Sequence, residues 1–204
     1  MPCTISSVTV EADDGTAAEK LYAALGVADR VAVRPAEAPA SGFHGFTLSI
    51  VTSQPANVDA YLDAAVEHGA TLVKPGRKSL WGYGGSFRAP DGATWTVASS
   101  SKKDSAPAAL EHDDLVLLLG VDDVKAAKAL HVERGFEVGR GFGSKYVEFA
   151  SSDGITLALQ ARQAVAKNAG VEPDGSGSHR LVIHSDAGEC TDPDGYVWAA
   201  RVAS

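Results

Sequence analysis

The stretch DAAVEHGATLVKPGRKSLWGYGGSFRAPDGATWTVA, residues 63–98, holds the densest run of ordered signals in the chain. Just upstream and into it, Val58, Leu62 and Ala65 recur at helical spacing over Asn57 to His68, and Gly69 closes that helix. Thr71–Lys74, Gly85–Arg88 and Ala93–Ala98 then read as three strands. The last two flank Pro90-Asp91-Gly92, a hairpin signal because proline presets one turn dihedral and glycine accepts the positive one.

Working outward, Ile5–Glu11 alternates as a half-buried strand does. Ala17, Leu21 and Leu25 form one face of a helix over Thr16 to Leu25, stopped by Gly26. Arg30–Pro35 and Phe43–Thr52 read as strands. Downstream, Ser99 to Ala109 (SSSKKDSAPAA) is small, polar and proline-bearing, as a linker is. Folding signals then resume. Leu115–Val121 is a strand and Val124 to Arg134 a helix that Gly135 ends. Strands Tyr146–Phe149 and Ile155–Gln160 are joined by Ser-Ser-Asp-Gly at 151–154, and Gln163–Ala169 is a short helix. His179–Ile183 and Tyr196–Val202 are strands around a second turn, Pro193-Asp194-Gly195. The expected organisation is a first half at 1–100, a linker at 101–109 and a trimmed second half at 110–204.

The halves are related. A shift of 109 residues superposes Ala17, Ala18, Leu21 and Gly26 on Ala126, Ala127, Leu130 and Gly135. APDGATW (89–95) meets DPDGYVW (192–198) at a shift of 103, and SGFH (41–44) meets SGSH (176–179) at 135. The second half therefore gains 26 residues between its first helix and the middle match, room for a β-hairpin. It then loses 32 residues before the PDG turn, room for a helix and a strand. Duplication followed by complementary trimming explains whole elements coming and going.

The 63–98 stretch resembles the second half of a glyoxalase/bleomycin-resistance domain of the vicinal-oxygen-chelate superfamily, in its order of alanine-rich helix, Gly-Ala, strand, Trp-Gly, strand and PDG turn. LLLGVDDVKAAKAL (117–130) is similar to that family's opening strand and helix, and TDPDGYVW (191–198) to its closing hairpin. The resemblance implies an α+β fold of tandem βαβββ modules, with curved, cupped mixed sheets and flanking helices. It also implies that the hollow of the sheet binds the ligand. In the family's enzymes a divalent metal sits there, held by His or Gln of the opening strand, His of the middle strand and Glu of the closing strand.

Carried onto this chain, the opening-strand positions fall on Ser7 and Val116, and the closing-strand positions on Thr96 and Ala199. The middle strand offers His179, with His44 at the parallel place (Phe46 under a two-residue slip). Hydroxyl and alkyl groups do not make the three-ligand set that zinc needs. The expectation is no metal and no cofactor. One alternative joins His44 and His179 to Glu148 or Glu11 as a third ligand.

The ligand-binding residues expected on this reading are Ser7, Thr9, Phe46, Trp81, Tyr83, Phe87, Thr96 and His179, an aromatic and hydroxyl lining for an organic molecule. Trp95 and Trp198, one residue before the vanished Glu positions, fall on the opposite face and are expected in the core.

Bulk properties bound the partners. With 45% hydrophobic and 22% charged residues the chain is globular in composition. A formal charge of −8 excludes a nucleic-acid backbone or an anionic membrane as the main partner. Met1–Val10 shows no signal-peptide pattern and no apolar run is long enough to span a bilayer, so a cytoplasmic protein is expected. Cys3 and Cys190 are expected as free thiols. No nucleotide loop, nucleophile elbow or HExxH string occurs; Gly139–Gly143 lacks dinucleotide spacing. The composition, rich in Ala, Val, Gly and Asp, resembles that of high-GC bacteria. The function expected is a metal-free binder that sequesters an antibiotic or metabolite. The alternatives are a metal-dependent lyase, isomerase or dioxygenase-like enzyme with an unconventional site, and a dimeric scaffold. Partner exchange is common in the family, so a homodimer is one expected assembly.

Overall fold

The computed structural model describes residues 2–151 and 154–201. Four βαβββ-type units follow one another, two of them incomplete. The first is β1 (Ile5–Ala12), α1 (Thr16–Ala24) and β2 (Val31–Pro35), followed by the short β3 (Ala40–Gly42). The second is complete: β4 (Phe46–Val51), α2 (Pro55–Glu67), β5 (Thr71–Ser79), β6 (Gly82–Arg88) and β7 (Thr94–Ser99). So is the third: β8 (Asp114–Val121), α3 (Val124–Glu133), β9 (Val138–Phe142), β10 (Tyr146–Phe149) and β11 (Thr156–Ala161). A connector with α4 (Arg162–Ala169) and β12 (Gly175–Gly177) leads to β13 (Leu181–Ser185), β14 (Cys190–Thr191) and β15 (Val197–Ala200).

The two complete units form one eight-stranded sheet, ordered β5-β6-β7-β4-β8-β11-β10-β9. In each the opening and closing strands lie parallel, and the units meet through antiparallel β4 and β8. The trimmed units repeat this plan in a five-stranded sheet, β14-β15-β13-β1-β2, joined through antiparallel β1 and β13. Each sheet thus draws strands from both sides of residues 101–109, and both are completed within one chain. The 101–109 segment is itself fastened. Gln54, beside the N-terminus of α2, accepts from the Ser105 and Ala106 amides, and Asp104 accepts from the Ala56 amide at 2.7 Å.

The three repeat matches acquire spatial meaning. The matched helices are α1 and α3, and the PDG turns precede β7 and β15. The 26-residue surplus accommodates α4 as well as two further strands, and the shortfall is α2 and one strand. The middle match becomes a contact: Ser41 pairs with Ser176 in the β3–β12 ladder, their hydroxyls 2.9 Å apart. Strand ends shift slightly: the last strand runs Val197–Ala200 rather than Tyr196–Val202, and Val202 lies outside the described residues, as do Ser152 and Asp153 of the 151–154 turn.

The chemistry of the elements is ordinary. Asp123 caps α3 by accepting from the Lys125 and Ala126 amides, and Pro55 opens α2 where its missing N–H costs nothing. One continuous core joins both sheets. Trp95 is fully buried, its ring 5.3 Å from Tyr22 of α1 and stacked on Phe87 at 5.9 Å. Trp198 is buried against His131, Phe136 and the Arg134 guanidinium. The Tyr22 hydroxyl bonds to the buried Asp91 carboxylate, tying the first unit to the turn of the second.

Candidate functional site

Strand side chains alternate between faces, so one face of the eight-stranded sheet feeds the core and the other lines the hollow. Core-facing are Leu48, Ile50, Trp95, Leu115 and Leu117. Facing the hollow across the four central strands are Thr94, Thr96 and Ala98 on β7, and Thr47, Ser49 and Val51 on β4. Asp114, Val116 and Leu118 on β8 and Thr156, Ala158 and Gln160 on β11 lie on the same face. The sheet curls until its two ends meet: Trp81, at the tip of the β5–β6 hairpin, lies 6.2 Å ring to ring from Phe142 at the end of β9.

Inside this cup sits α4. Val165 and Ala166 are fully buried there, packed with Phe43 and Leu118. The Ser86 hydroxyl donates to the Ala169 carbonyl at 2.6 Å, and the Lys74 ammonium donates to the Lys167 and Asn168 carbonyls at 3.2 and 2.8 Å. A cation on the last carbonyls of a helix complements its dipole. At the other end Arg162 donates to the Phe43 and Pro173 carbonyls. The backbone of β8 makes room: a Cβ on Gly120 would lie 2.6 Å from the Gly45 carbonyl and 2.9 Å from the Arg162 Cα. A hollow that is open in a bare curved sheet is therefore half filled by the chain's own connector.

What remains is a cavity of about 470 Å³ between α4 and the β5–β6 hairpin. Leu118, Val165 and Ala98 give it apolar walls, Thr47 and Thr96 add hydroxyls, and Trp81 stands at its mouth, 79% exposed. Its charged lining is Lys74, Arg77 and Lys167. Burial, and then Arg77, lower the Lys74 pKa. A second hollow of about 460 Å³ lies between the α1–β2 loop and the start of β8, lined by Asp29, Arg30, His112, Asp113 and Asp114. Burial raises the Asp114 pKa and a hydrogen bond from Thr156 opposes that. This is a polar crevice at the strand and loop ends, with no Phe, Tyr or Trp in its lining, and the cup cavity is the better organised ligand site.

The structure separates the residues expected to bind ligand. Trp81 and Thr96 line the cavity, and Thr96 exchanges a hydrogen bond of 2.5 Å with Ser49. Tyr83 lends backbone to the cavity, but its hydroxyl donates to Asp59 of α2 at 2.9 Å, so its ring lies on the outer face. Phe46 and Phe87 are wholly buried in the core on that outer face. Ser7 and Thr9 belong to the other sheet, where Thr9 shares a hydrogen bond of 2.9 Å with His184. His179 is stacked on Tyr196 at 4.0 Å, with its ring nitrogens on the His44 and Asp194 carbonyls, as a packing residue would be. Sequence reasoning missed Lys74, Arg77 and Lys167. The run Lys74-Pro75-Gly76-Arg77-Lys78 was the visible signal for two of them, whereas nothing in RQAVAKNA marks α4 as lining the cup.

The donor set does not suit a metal. The cup-facing positions of the opening and closing strands are mostly hydroxyl and alkyl, the one carboxylate there, Asp114, accepts from Thr156, and among the described residues no three His, Cys, Asp or Glu are grouped to hold an ion. Glu148 is engaged by Arg140 and Tyr146, and Glu11 by Arg34, so neither carboxylate completes a set with His44 and His179. No helix among the described residues is long and apolar enough to cross a membrane.

Neither a family model nor a curated protein matches this sequence. Solved structures do match. Glyoxalase I from Zea mays aligns at 12% identity over 96% of this chain and 91% of its own, with a TM-score of 0.58. A point mutant of that protein aligns at 13% and 0.59 over the same shares. The chain has the vicinal-oxygen-chelate fold. A candidate dioxygenase from Bacillus subtilis shares this glyoxalase-type architecture at 13% identity, with a TM-score of 0.53, over 88% of this chain and 69% of that one. The curved mixed sheets and flanking helices of the vicinal-oxygen-chelate fold are those expected from the 63–98 stretch.

Proposed function

We propose that this chain is a metal-independent small-molecule-binding protein, one that sequesters an organic ligand in the cup of its eight-stranded sheet. One observation carries the reading. Of the positions carried over from the family's metal enzymes, Thr96 and Val116 lie in this sheet, with Thr47 and Ala158 on the same face, and none of the four is an imidazole or carboxylate, yet an aromatic-mouthed cavity survives beside α4. Hydroxyls can orient a ligand, but they neither polarise it as a Lewis acid would nor relay protons near neutral pH. Such a site holds without converting. The acidic sequence suits a cytoplasmic role of this kind.

The test is a ligand screen read by calorimetry on full-length protein, with and without EDTA, followed by recovery of the ligand. Binding that is unchanged by EDTA, with the compound recovered intact, is the expected result. Binding or turnover that vanishes with EDTA and returns with a divalent ion would overturn the proposal.

A further inference from the structure

We infer that the ligand of the cup cavity is a small anion, an aromatic or other planar compound bearing a carboxylate or phosphate. This inference rests on the binding reading above and names the class of molecule bound. Acidic residues outnumber basic ones 26 to 18 in the sequence, yet the cavity is lined by three basic side chains and no acidic one. The local charge therefore runs against the charge of the whole protein, which placement without a purpose would not favour.

The three cations are not equivalent. Lys74 is committed to the C-terminal carbonyls of α4 and holds that helix in the cup. The Arg77 and Lys167 side chains form no hydrogen bond or ion pair with any other described residue. They approach the same space from different elements, Arg77 from edge strand β5 and Lys167 from the last turn of α4. The Asp59 carboxylate, beside the Gly76 backbone of β5, accepts from Tyr83 on the outer side of the sheet. A guanidinium and an ammonium left open together in a half-enclosed space are suited to one carboxylate or phosphate group.

The rest of the cavity sets the remainder of the molecule. Leu118, Val165 and Ala98 form walls that cannot satisfy polar atoms, and Thr47 and Thr96 supply single hydroxyls. Trp81 leans toward Phe142 across the opening, so a flat ring entering below it gains stacking on the indole. A volume of about 470 Å³ holds one or two fused rings with a short acidic arm and excludes large polycyclic ligands.

The experiment compares charged and neutral members of matched pairs on the full chain by calorimetry: 2-naphthoate with 2-naphthamide, indole-3-acetate with indole-3-acetamide, and 2-naphthyl phosphate with 2-naphthol. The acid of at least one pair should bind tenfold or more tighter than its neutral partner. Arg77→Gln and Lys167→Gln should each remove most of that advantage without changing the neutral partner's affinity. Lys20→Gln, on the exposed face of α1, serves as the control and should change neither. Because a variant could disturb α4, wild-type protein is also titrated at rising salt, where only the acid should weaken. Equal affinity for acid and neutral partner, unaffected by salt and by Arg77→Gln, overturns the charge inference and leaves the binding reading intact. A cavity that takes neither member of any pair overturns the binding reading and this inference with it.

Discussion

Ser86, on β6, donates its hydroxyl to the carbonyl oxygen of Ala169, the last residue of α4, across 2.6 Å. Both groups are buried, and the bond holds the connector helix inside the cup. Replacing Ser86 by Ala leaves that carbonyl one donor short where water is scarce. The expected cost is about 1–2 kcal/mol in chemical denaturation, with faster amide exchange confined to residues 162–170. Equal exchange in variant and parent would mean that α4 is held by Lys74 and packing alone.

Gly120 is where β8 passes closest to α4. A methyl group there would press on the Gly45 carbonyl and the Arg162 backbone. Gly120→Ala should destabilise by about 1–3 kcal/mol, as overpacking does. It should also weaken whatever the cavity binds, because the helix that walls it is displaced. A variant of parental stability would contradict the seating of α4.

His131 gives the fold an acid limit. It is 1% exposed among Phe136, Phe149 and Trp198, and its Nδ1 has no hydrogen-bond partner among the described residues. Burial first, and then Arg134, push its pKa down to about 4, while Asp192 opposes them. The folded state therefore keeps the ring neutral while the unfolded chain takes up a proton near pH 6.5. The stability this neutral ring contributes is complete above that value and is lost as pH falls toward 4. His44 shifts to about 4 as well, by burial and then by Arg180, so it acts in the same direction. His131→Phe should retain up to about 3 kcal/mol more of its neutral-pH stability at pH 4 than the parent does. Parallel stability curves for the two proteins would contradict this.

The fold was legible because its signals are local and repeated. The helical spacing of Leu21 and Leu25, the two PDG turns and the changing repeat shift each survive without knowledge of pairing. The site was less legible because it depends on which strands meet. Ser7 and Thr96 read as opening and closing strands of one half, but β1 pairs with β13 while β7 pairs with β4, so the two lie on different sheets. Phe87 could have been placed: the turn at Asp91 sets it opposite Trp95, which alternation assigns to the core. The irregular register of β5 around Lys74 hid the faces of Lys74 and Arg77. The burial of α4 was beyond reach, since an eight-residue helix with four apolar residues, three of them alanine, gives no sign of which hollow it fills.

The most direct test is a crystal structure of the protein with the tightest of the naphthyl or indolyl acids, with anomalous data collected for bound transition ions. The acid group should lie within hydrogen-bond reach of Arg77 and Lys167, the ring beneath Trp81, and α4 should remain in the cup. A ligand elsewhere, or one held by an ion coordinated to side chains of the four central strands, would contradict the account.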